Sequence, residues 1–216
     1  MKKIIITTCM LIMAVIMSAC SAPEENIYQT LEDTVGKESN FEQQQKPLTE
    51  LEIAEKALFD EIMELGMKDF EKISQKADEG LANLDKREAL LKKEKESIDA
   101  SKETFSKISE EVSNLEEDNI KKEAENLQNV MKKRYESYDN LYSSYIEGIG
   151  EDRKTYEMIK DKELRMEDLQ TQIETTNKVY ENVFEANSQF NEQTEKFNKA
   201  KAKFYKEAGI KVEKAG

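Results

Sequence analysis

From Glu167 to Phe204, side chains suited to a helical core recur in alternating steps of four and three residues. One register of this repeat stays largely apolar and consists of Leu169, Thr176, Val183, Phe190, Phe197 and Phe204. The other register turns polar toward the C-terminus and consists of Ile173, Tyr180, Asn187, Thr194 and Lys201. Because an average step of 3.5 residues follows the seam of a coiled coil, the pattern predicts a long helix and argues against a disordered chain.

Two further segments show the same kind of periodicity. In residues 119–160, apolar and aromatic residues recur at helical spacing and define the inward face. They are Ile120, Ala124, Leu127, Met131, Tyr135, Tyr138, Tyr142, Tyr145, Ile149, Tyr156 and Ile159. An earlier segment repeats in sevens through Phe70, Ala77, Leu84, Leu91, Ile98, Phe105 and Val112, with polar companions at Glu88, Lys95 and Lys102. The chain has only 7 glycines and 2 prolines in 216 residues, too few for a β-sandwich or a Rossmann sheet. The sequence therefore predicts an all-α fold.

Segment lengths indicate how the helices are arranged. The helical segments are nearly equal in length and are separated by short connections, at 24–65, 67–114, 119–160 and 166–208. Short connections place successive helices antiparallel, so we predict an elongated up-and-down four-helix bundle about 65 Å tall. The alternative is three long helices, in which Gly66 only kinks a first helix that continues to Leu115.

Two prolines lie at or within the N-terminal helical segment. Pro23 and Pro47 both suit the first turn of a helix, and a Gln-rich stretch, residues 37–46, lies between them. The pattern predicts a connection at 37–46 and a new helix that begins at Pro47.

The first twenty residues have the pattern of an export signal. Lys2 and Lys3 precede an apolar run, residues 4–17, which is too short to span a bilayer comfortably but is typical of a signal peptide. Small residues then lead directly into Cys20, as in the lipobox of bacterial lipoproteins. We expect residues 1–19 to be removed and a diacylglycerol to be attached to Cys20. The alternative is an ordinary secretory signal with an incidental cysteine.

Cysteine usage and charge agree with a lipid anchor. Cys9 would leave with the signal peptide, so the mature chain keeps Cys20 alone and forms no internal disulfide. Removing residues 1–19 takes away two lysines and no acid, so the formal charge goes from −13 to −15 and repels anionic headgroups. We therefore expect the protein to be anchored on the outer face of the cell membrane by lipid alone. The predicted organisation is a signal peptide at 1–19, a lipidated tether at 20–23, the bundle at 24–209 and a C-terminal tail at 210–216.

Several short segments along the mature chain resemble segments of a known protein family and occur in the same order. They are Gln44-Gln45-Lys46-Pro47-Leu48, Leu65-Gly66-Met67-Lys68, Lys93-Glu94-Lys95-Glu96-Ser97-Ile98, Tyr138-Asp139-Asn140-Leu141-Tyr142, Glu185-Ala186-Asn187, Phe190-Asn191 and Phe204-Tyr205-Lys206-Glu207-Ala208-Gly209. With these segments the chain resembles the YkyA-like cell-wall-binding lipoproteins of Gram-positive bacteria. The resemblance implies an all-helical bundle on a lipid anchor that faces the cell wall, and it implies no catalytic residues.

A row of tyrosines is one candidate binding surface. Tyr135, Tyr138, Tyr142 and Tyr145 could stack on sugar rings if they lined an exposed groove. Their spacing of three, four and three residues places all four on the predicted core stripe instead. We therefore predict that they pack in the core.

The basic C-terminal end is a second candidate. Seven lysines lie between Lys196 and Lys214, against only Glu207 and Glu213. The candidate binding residues are Lys196, Lys199, Lys201, Lys203 and Lys206, which could contact anionic lipid or wall polymers. The alternative is a solvated helix end, whose cations suit the helix dipole.

Enzyme chemistry finds little support in the sequence. The chain has no histidine, no nucleophile-elbow motif and no phosphate-binding glycine loop, and the acidic run at 110–125 lacks the EF-hand pattern. We therefore predict no catalytic residues, no metal site and no cofactor, and the acidic balance argues against nucleic-acid binding. The predicted function is a non-catalytic scaffold or a module that binds a cell-wall polymer or an envelope protein. The alternative is a carrier or chaperone for an apolar ligand within the bundle.

Overall fold

The computed structural model describes residues 22–65 and 69–211, and the regular structure there is helical. The helices are α1 (Pro23–Lys37), α2 (Ser39–Glu64), α3 (Phe70–Ser106), α4 (Ile108–Asn114), α5 (Asp118–Ile159) and α6 (Met166–Glu207). Only Glu38 separates α1 from α2, and only Lys107 separates α3 from α4. The six helices therefore form four rods, and the prediction of an all-α bundle of four is confirmed.

Helices α2 and α3 form an antiparallel pair. Near the start of α2, the side-chain amide of Gln45 donates to Glu94 at 2.7 Å, late in α3. Near the end of α2, Glu61 pairs with Lys76, early in α3. The chain therefore reverses direction between α2 and α3, which excludes the three-helix alternative. Gly66 itself lies outside the described residues.

The N-terminal rod differs from the prediction. The expected connection at 37–46 is helical from Ser39 onward, and Pro47 lies inside α2 instead of opening it. Glutamine and glutamate favour helix, so a Gln-rich stretch is not by itself a loop signal. The actual interruption is the single residue Glu38, where α1 ends and α2 begins.

The apolar core runs along the bundle in two clusters. The first joins α1, the end of α3, α4, the start of α5 and the end of α6, and it includes Ile27, Leu31, Met131 and Phe204. The second joins α2, the start of α3, the end of α5 and the start of α6, and it includes Leu84, Leu91, Ile149 and Leu169. Each buried side chain of this size contributes about 1.5–3 kcal/mol relative to an exposed one. The predicted seven-residue repeat of α3 is confirmed, since from Ala77 to Val112 its members are buried.

Helix α6 packs closely along α5, whereas α2 packs mainly on α3. The rings of Tyr138 on α5 and Phe190 on α6 meet edge to face, with their centroids 5.4 Å apart. The polar register of α6, which includes Tyr180 and Thr194, instead faces the space beside α2. This arrangement leaves one side of the bundle open between α2 and α6.

Helix α6 ends at a glycine in the left-handed conformation. Gly209 has φ of 68°, and its N–H donates to the carbonyl of Lys206 at 3.2 Å. The N–H of Ile210 donates to the carbonyl of Tyr205 at 2.9 Å, which completes a Schellman motif. This motif ends α6 at Glu207, whereas the domain boundary at residue 209 stays a prediction.

Candidate functional site

A groove lies between α2 and α6 in the described part of the structure. Its main cavity has a volume of about 620 Å³ and receives side chains from α2, α3, α5 and α6. The aromatic residues that line it are Phe59, Tyr145, Tyr156, Tyr180 and Phe184. A second cavity of about 420 Å³ shares Glu52, Tyr145, Val183 and Phe184 with the first and continues along α2 toward Phe41. We call these two cavities together the α2–α6 groove.

Arg87 on α3 lies at the floor of the groove, with a side chain that is only 3% exposed. One terminal nitrogen, Nη1, pairs with Glu55 of α2 and lies 3.5 Å from Asp152 of α5. The other, Nη2, donates to the hydroxyls of Tyr145 at 3.0 Å and Tyr180 at 3.1 Å. A single guanidinium therefore connects all four rods around the groove.

The carboxylates at the floor exceed the positive charge available to them. Burial is the main reason that the pKa of the Glu55 carboxyl is raised to about 7; nearby Asp152 and Glu52 contribute to this rise, and Arg87 opposes it. Burial also raises the pKa of Asp152, although Tyr180 donates a hydrogen bond to it. The floor therefore takes up a proton close to neutral pH.

Two buried polar atoms at the floor have no hydrogen-bond partner among residues 22–65 and 69–211. They are Nε of Arg87 and the hydroxyl of Tyr156. The Tyr156 ring lies against Gly80, where a Cβ atom would come within 2.5 Å of it. Similarly, the Tyr180 ring lies 3.1 Å from a Cβ placed at Gly148. The two glycines make room for the two tyrosines that shape the floor.

A second buried arginine, Arg134, differs from Arg87 because all three of its side-chain nitrogens have hydrogen-bond partners. Both terminal nitrogens of Arg134 donate to the carboxylate of Glu38 at 2.7 Å, and Nε donates to Thr194 at 3.0 Å. Ser101 donates to the same carboxylate at 2.8 Å. This cluster joins the break between α1 and α2 to the rest of the bundle, so we assign it a structural role.

The predicted tyrosine row is in the core. Tyr135, Tyr138 and Tyr145 are buried, and Tyr142 is half-buried against both core clusters. The prediction of core packing is therefore confirmed. Tyr145 also lines the groove, where its hydroxyl donates to Glu52.

The candidate lysines of α6 are largely paired with carboxylates. The ion pairs are Lys196 with Glu192 at 2.7 Å, Lys199 with Glu195 at 3.6 Å, Lys201 with Glu32 at 3.7 Å and Lys203 with Glu123 at 2.8 Å. Lys206 is exposed. Because the acidic partners come from α1, α5 and α6, these lysines leave the helix in different directions. Binding by the five lysines stays a prediction.

Cys20 and the expected signal peptide lie outside the described residues. Within the part of the chain that is described, no helix is both long enough and apolar enough to cross a bilayer. Attachment of lipid at Cys20 stays a prediction.

Sequence reasoning missed the floor of the groove. Beside its apolar repeat, α3 buries a second row of residues, which consists of Gly80, Arg87, Glu94 and Ser101. The predicted companions of the repeat are instead Glu88, Lys95 and Lys102, each one position later in the chain. The missed residues are also spaced by sevens, and that spacing was the available signal. From the sequence alone, polar side chains at this spacing indicate a solvent-exposed helix face, because the helix that covers them is not known.

Three comparisons relate this chain to known proteins. A family model, YkyA, described as "Putative cell-wall binding lipoprotein", matches residues 22–207. The uncharacterized lipoprotein YkyA of Bacillus subtilis (strain 168) is 37% identical over 205 residues, which cover 94% of this chain and 92% of that protein. A crystal structure at 1.6 Å of a conserved protein of unknown function from Staphylococcus aureus superposes with a TM-score of 0.76. It covers 84% of this chain and 91% of that one at 17% identity, so it shows a shared fold.

Proposed function

The chain belongs to the YkyA family of lipoproteins, and from this premise we propose that it is a lipid-anchored, non-catalytic binding module whose ligand site is the α2–α6 groove. In this proposal, a diacylglycerol on Cys20 holds the protein to the outer face of the membrane. The rods extend from there, since the 42 residues of α5 alone span about 63 Å. The groove then meets a cell-wall polymer or an envelope protein.

The observation that supports this function best is that three buried groups of an open, aromatic-lined groove have no partner in the described structure, namely Nε of Arg87 and the hydroxyls of Tyr138 and Tyr156. Leaving a buried polar group without a partner costs about 1–3 kcal/mol, which a ligand would recover. The Arg134 cluster shows that the same bundle can satisfy a buried arginine fully. Concave sites with aromatic walls and a few convergent polar groups are also the usual form of ligand sites.

The floor favours a polar ligand over an apolar one. An apolar molecule above Arg87 would remove the carboxylates of Glu55 and Asp152 from water without offering them a hydrogen bond. A carrier for an apolar ligand is therefore the less favoured function. A non-catalytic role is supported by the lack of histidine and by family and relative descriptions that name no enzyme activity.

A pair of matched variants tests the groove. Phe184 lines the groove and is 72% exposed, whereas Ile53 on α2 is 66% exposed and lines none of the described cavities. We expect Phe184→Ala to weaken retention of the lipoprotein by purified cell walls about tenfold, because a ligand would cover that ring. Ile53→Ala is the control, and it should leave retention unchanged.

Both variants remove an exposed apolar side chain, so both should melt at the wild-type temperature. Equal retention of the two variants at the wild-type level, or an equal loss in both, would contradict a ligand site in the groove.

A further inference from the structure

We propose that the floor of the α2–α6 groove binds a protonated primary amine carried on a short apolar stem. The inference rests on the proposed function, because it names the chemistry that the same groove recognises. It follows from three observations, which are the charge of the floor, its unpartnered oxygen atoms and the aromatic walls above it.

The charged groups of the floor come from three of the four helices that line the cavity. Helix α2 provides Glu52, Glu55 and Lys56, α3 provides Arg87, and α5 provides Asp152, whereas the described lining of α6 is uncharged. Lys56 is exposed and pairs with Asp60 at 2.6 Å, so it does not neutralise the floor. Three carboxylates therefore share one guanidinium, and this excess of negative charge favours a cation.

Each of these three carboxylates has one oxygen without a donor from the described chain. Glu55 and Asp152 use one oxygen each for Arg87, and Glu52 uses one for the hydroxyl of Tyr145. The remaining oxygens are acceptors on three residues that line the same cavity. A primary ammonium has three N–H donors and no acceptor, so its hydrogen bonds match such a set.

The hydroxyl of Tyr156 is an independent indication of a ligand. Tyr156 is buried, its hydroxyl has no partner in the described structure, and the residue lines the same cavity as the carboxylates. The phenolic oxygen can accept a hydrogen bond from an ammonium group. This buried atom therefore points to an occupant of the cavity on grounds other than charge.

The walls of the groove suit the stem of such a ligand. Phe59 and Phe184 provide apolar aromatic surface beside the floor. Aromatic faces also attract cations, as the guanidinium of Arg87 already shows at 5.2 Å from the centre of the Tyr145 ring. An anionic ligand would be repelled by the carboxylates, and a neutral alkyl chain would leave them without donors.

Binding of an amine should be linked to proton release. The pKa of the Glu55 carboxyl is raised to about 7 mainly by burial, so part of the protein carries a proton there at neutral pH. A bound ammonium favours the ionised carboxylate and displaces that proton. Affinity should therefore rise between about pH 6 and pH 8, where a primary amine with a pKa of about 10.4 stays charged.

The test is calorimetric titration of the full-length lipoprotein in detergent with two probes. Nα-acetyl-lysine-N-methylamide carries the ammonium, and Nα-acetyl-norleucine-N-methylamide has a similar stem without it. We expect the lysine probe to bind at least about tenfold more tightly than the norleucine probe. Glu55→Gln and Asp152→Asn should each weaken it by about tenfold, and Glu55→Gln should also reduce the pH dependence. Glu50→Gln, an exposed site on α2, is the control.

Equal affinities for the two probes, or lysine binding that Glu55→Gln and Asp152→Asn both leave unchanged in folded protein, would overturn the amine site. If the lysine probe fails to bind while Phe184→Ala still reduces wall retention, the amine site is overturned and the proposed function stands. If the lysine probe binds as expected while Phe184→Ala retains full wall binding, the amine site is supported. The role of the groove in wall binding is overturned in that case.

Discussion

Glu94 on α3 is a buried carboxylate that has no basic partner among its described contacts. Its exposure is 3%, and the side-chain amide of Gln45 donates to it at 2.7 Å. Burial is the main reason that the pKa of Glu94 is raised to about 7, and Glu52 adds to the rise. Buried carboxylates are usually paired with a cation, so ionisation of Glu94 costs the folded state free energy.

The shifted pKa of Glu94 predicts how stability depends on pH. The folded protein keeps a proton on Glu94 that the unfolded chain, with a pKa near 4.5, releases. The free energy of unfolding should therefore fall as pH rises from about 4.5 to about 7, and this contribution should be constant above that range. Glu94→Gln keeps the shape of the side chain and removes the titration. We expect it to gain stability relative to wild type between pH 5 and pH 8, as measured by urea unfolding.

The control for this prediction is Glu96→Gln, two residues away on α3 and exposed. It should follow the wild-type pH dependence. Glu55 has a pKa raised in the same direction, so Glu94→Gln should reduce the fall in stability without abolishing it. An identical loss of stability in wild type and Glu94→Gln over this range would show that Glu94 ionises freely in the folded state.

At the level of helices, periodicity located the C-terminal half of the fold closely. The predicted segments 119–160 and 166–208 correspond to α5 (Asp118–Ile159) and α6 (Met166–Glu207). Their apolar stripes face each other along the whole pair, so the pattern in the sequence is strong. The N-terminal rod was predicted less well, because α2 packs mainly on α3 and needs only a narrow apolar stripe.

The groove could not be located from the sequence for a related physical reason. Helix α3 contacts both α2 and α5, so it carries two buried registers, and the second is polar. The pattern of Arg87 and Glu94 in a sequence is the same whether a helix covers them or water does. Only the placement of α2 decides that they are buried, and that placement depends on contacts far apart in the chain.

The carboxylate of Glu38 connects the junction between α1 and α2 to α5. Glu38 binds both terminal nitrogens of Arg134, whose guanidinium also lies 5.0 Å from the centre of the Phe190 ring. Glu38→Ala would leave the guanidinium buried without its partner, so we expect a loss of about 3–5 kcal/mol in the free energy of unfolding. Urea unfolding at neutral pH would measure this loss.

Glu42→Ala is the matched control, because Glu42 is exposed one turn further along α2. It should change stability by less than about 0.5 kcal/mol. Glu38→Gln, which can still accept from Ser101, should fall between the two. Similar losses for Glu38→Ala and Glu42→Ala would show that Arg134 does not depend on the junction.

For the molecule as a whole, the four rods are packed unevenly. Helices α5 and α6 pack closely, α3 packs on α5, and α2 packs mainly on α3. The polar registers of α3 and α6 consequently face the same side, which is where the groove opens. The equal lengths of the rods could be predicted from the sequence, but this asymmetry could not, because it depends on which pairs of helices pack most closely.

The two candidate sites, the lysines of α6 and the groove, should differ in how strongly salt weakens wall binding. The chain has a formal charge of −13, so anionic wall polymers are repelled at long range, and any attraction must be local. Contacts by the lysines of α6 would weaken with salt, because the Debye length falls from about 10 Å at 0.1 M to about 3 Å at 1 M. Contacts inside the groove are partly shielded from ions and should depend less on salt.

A variant with Gln at Lys196, Lys199, Lys201, Lys203 and Lys206 separates these contributions. Four of the five lysines already pair with carboxylates, so we expect the variant to keep more than about half of its wall retention at 0.1 M salt. The remaining wall retention should be nearly independent of salt, and adding Phe184→Ala should remove it. Both are measured by co-sedimentation with purified walls. If the five substitutions alone abolish retention at 0.1 M salt, the lysines and not the groove are the wall-binding site. If a steep salt dependence persists in the variant, the electrostatic contact lies elsewhere on the molecule.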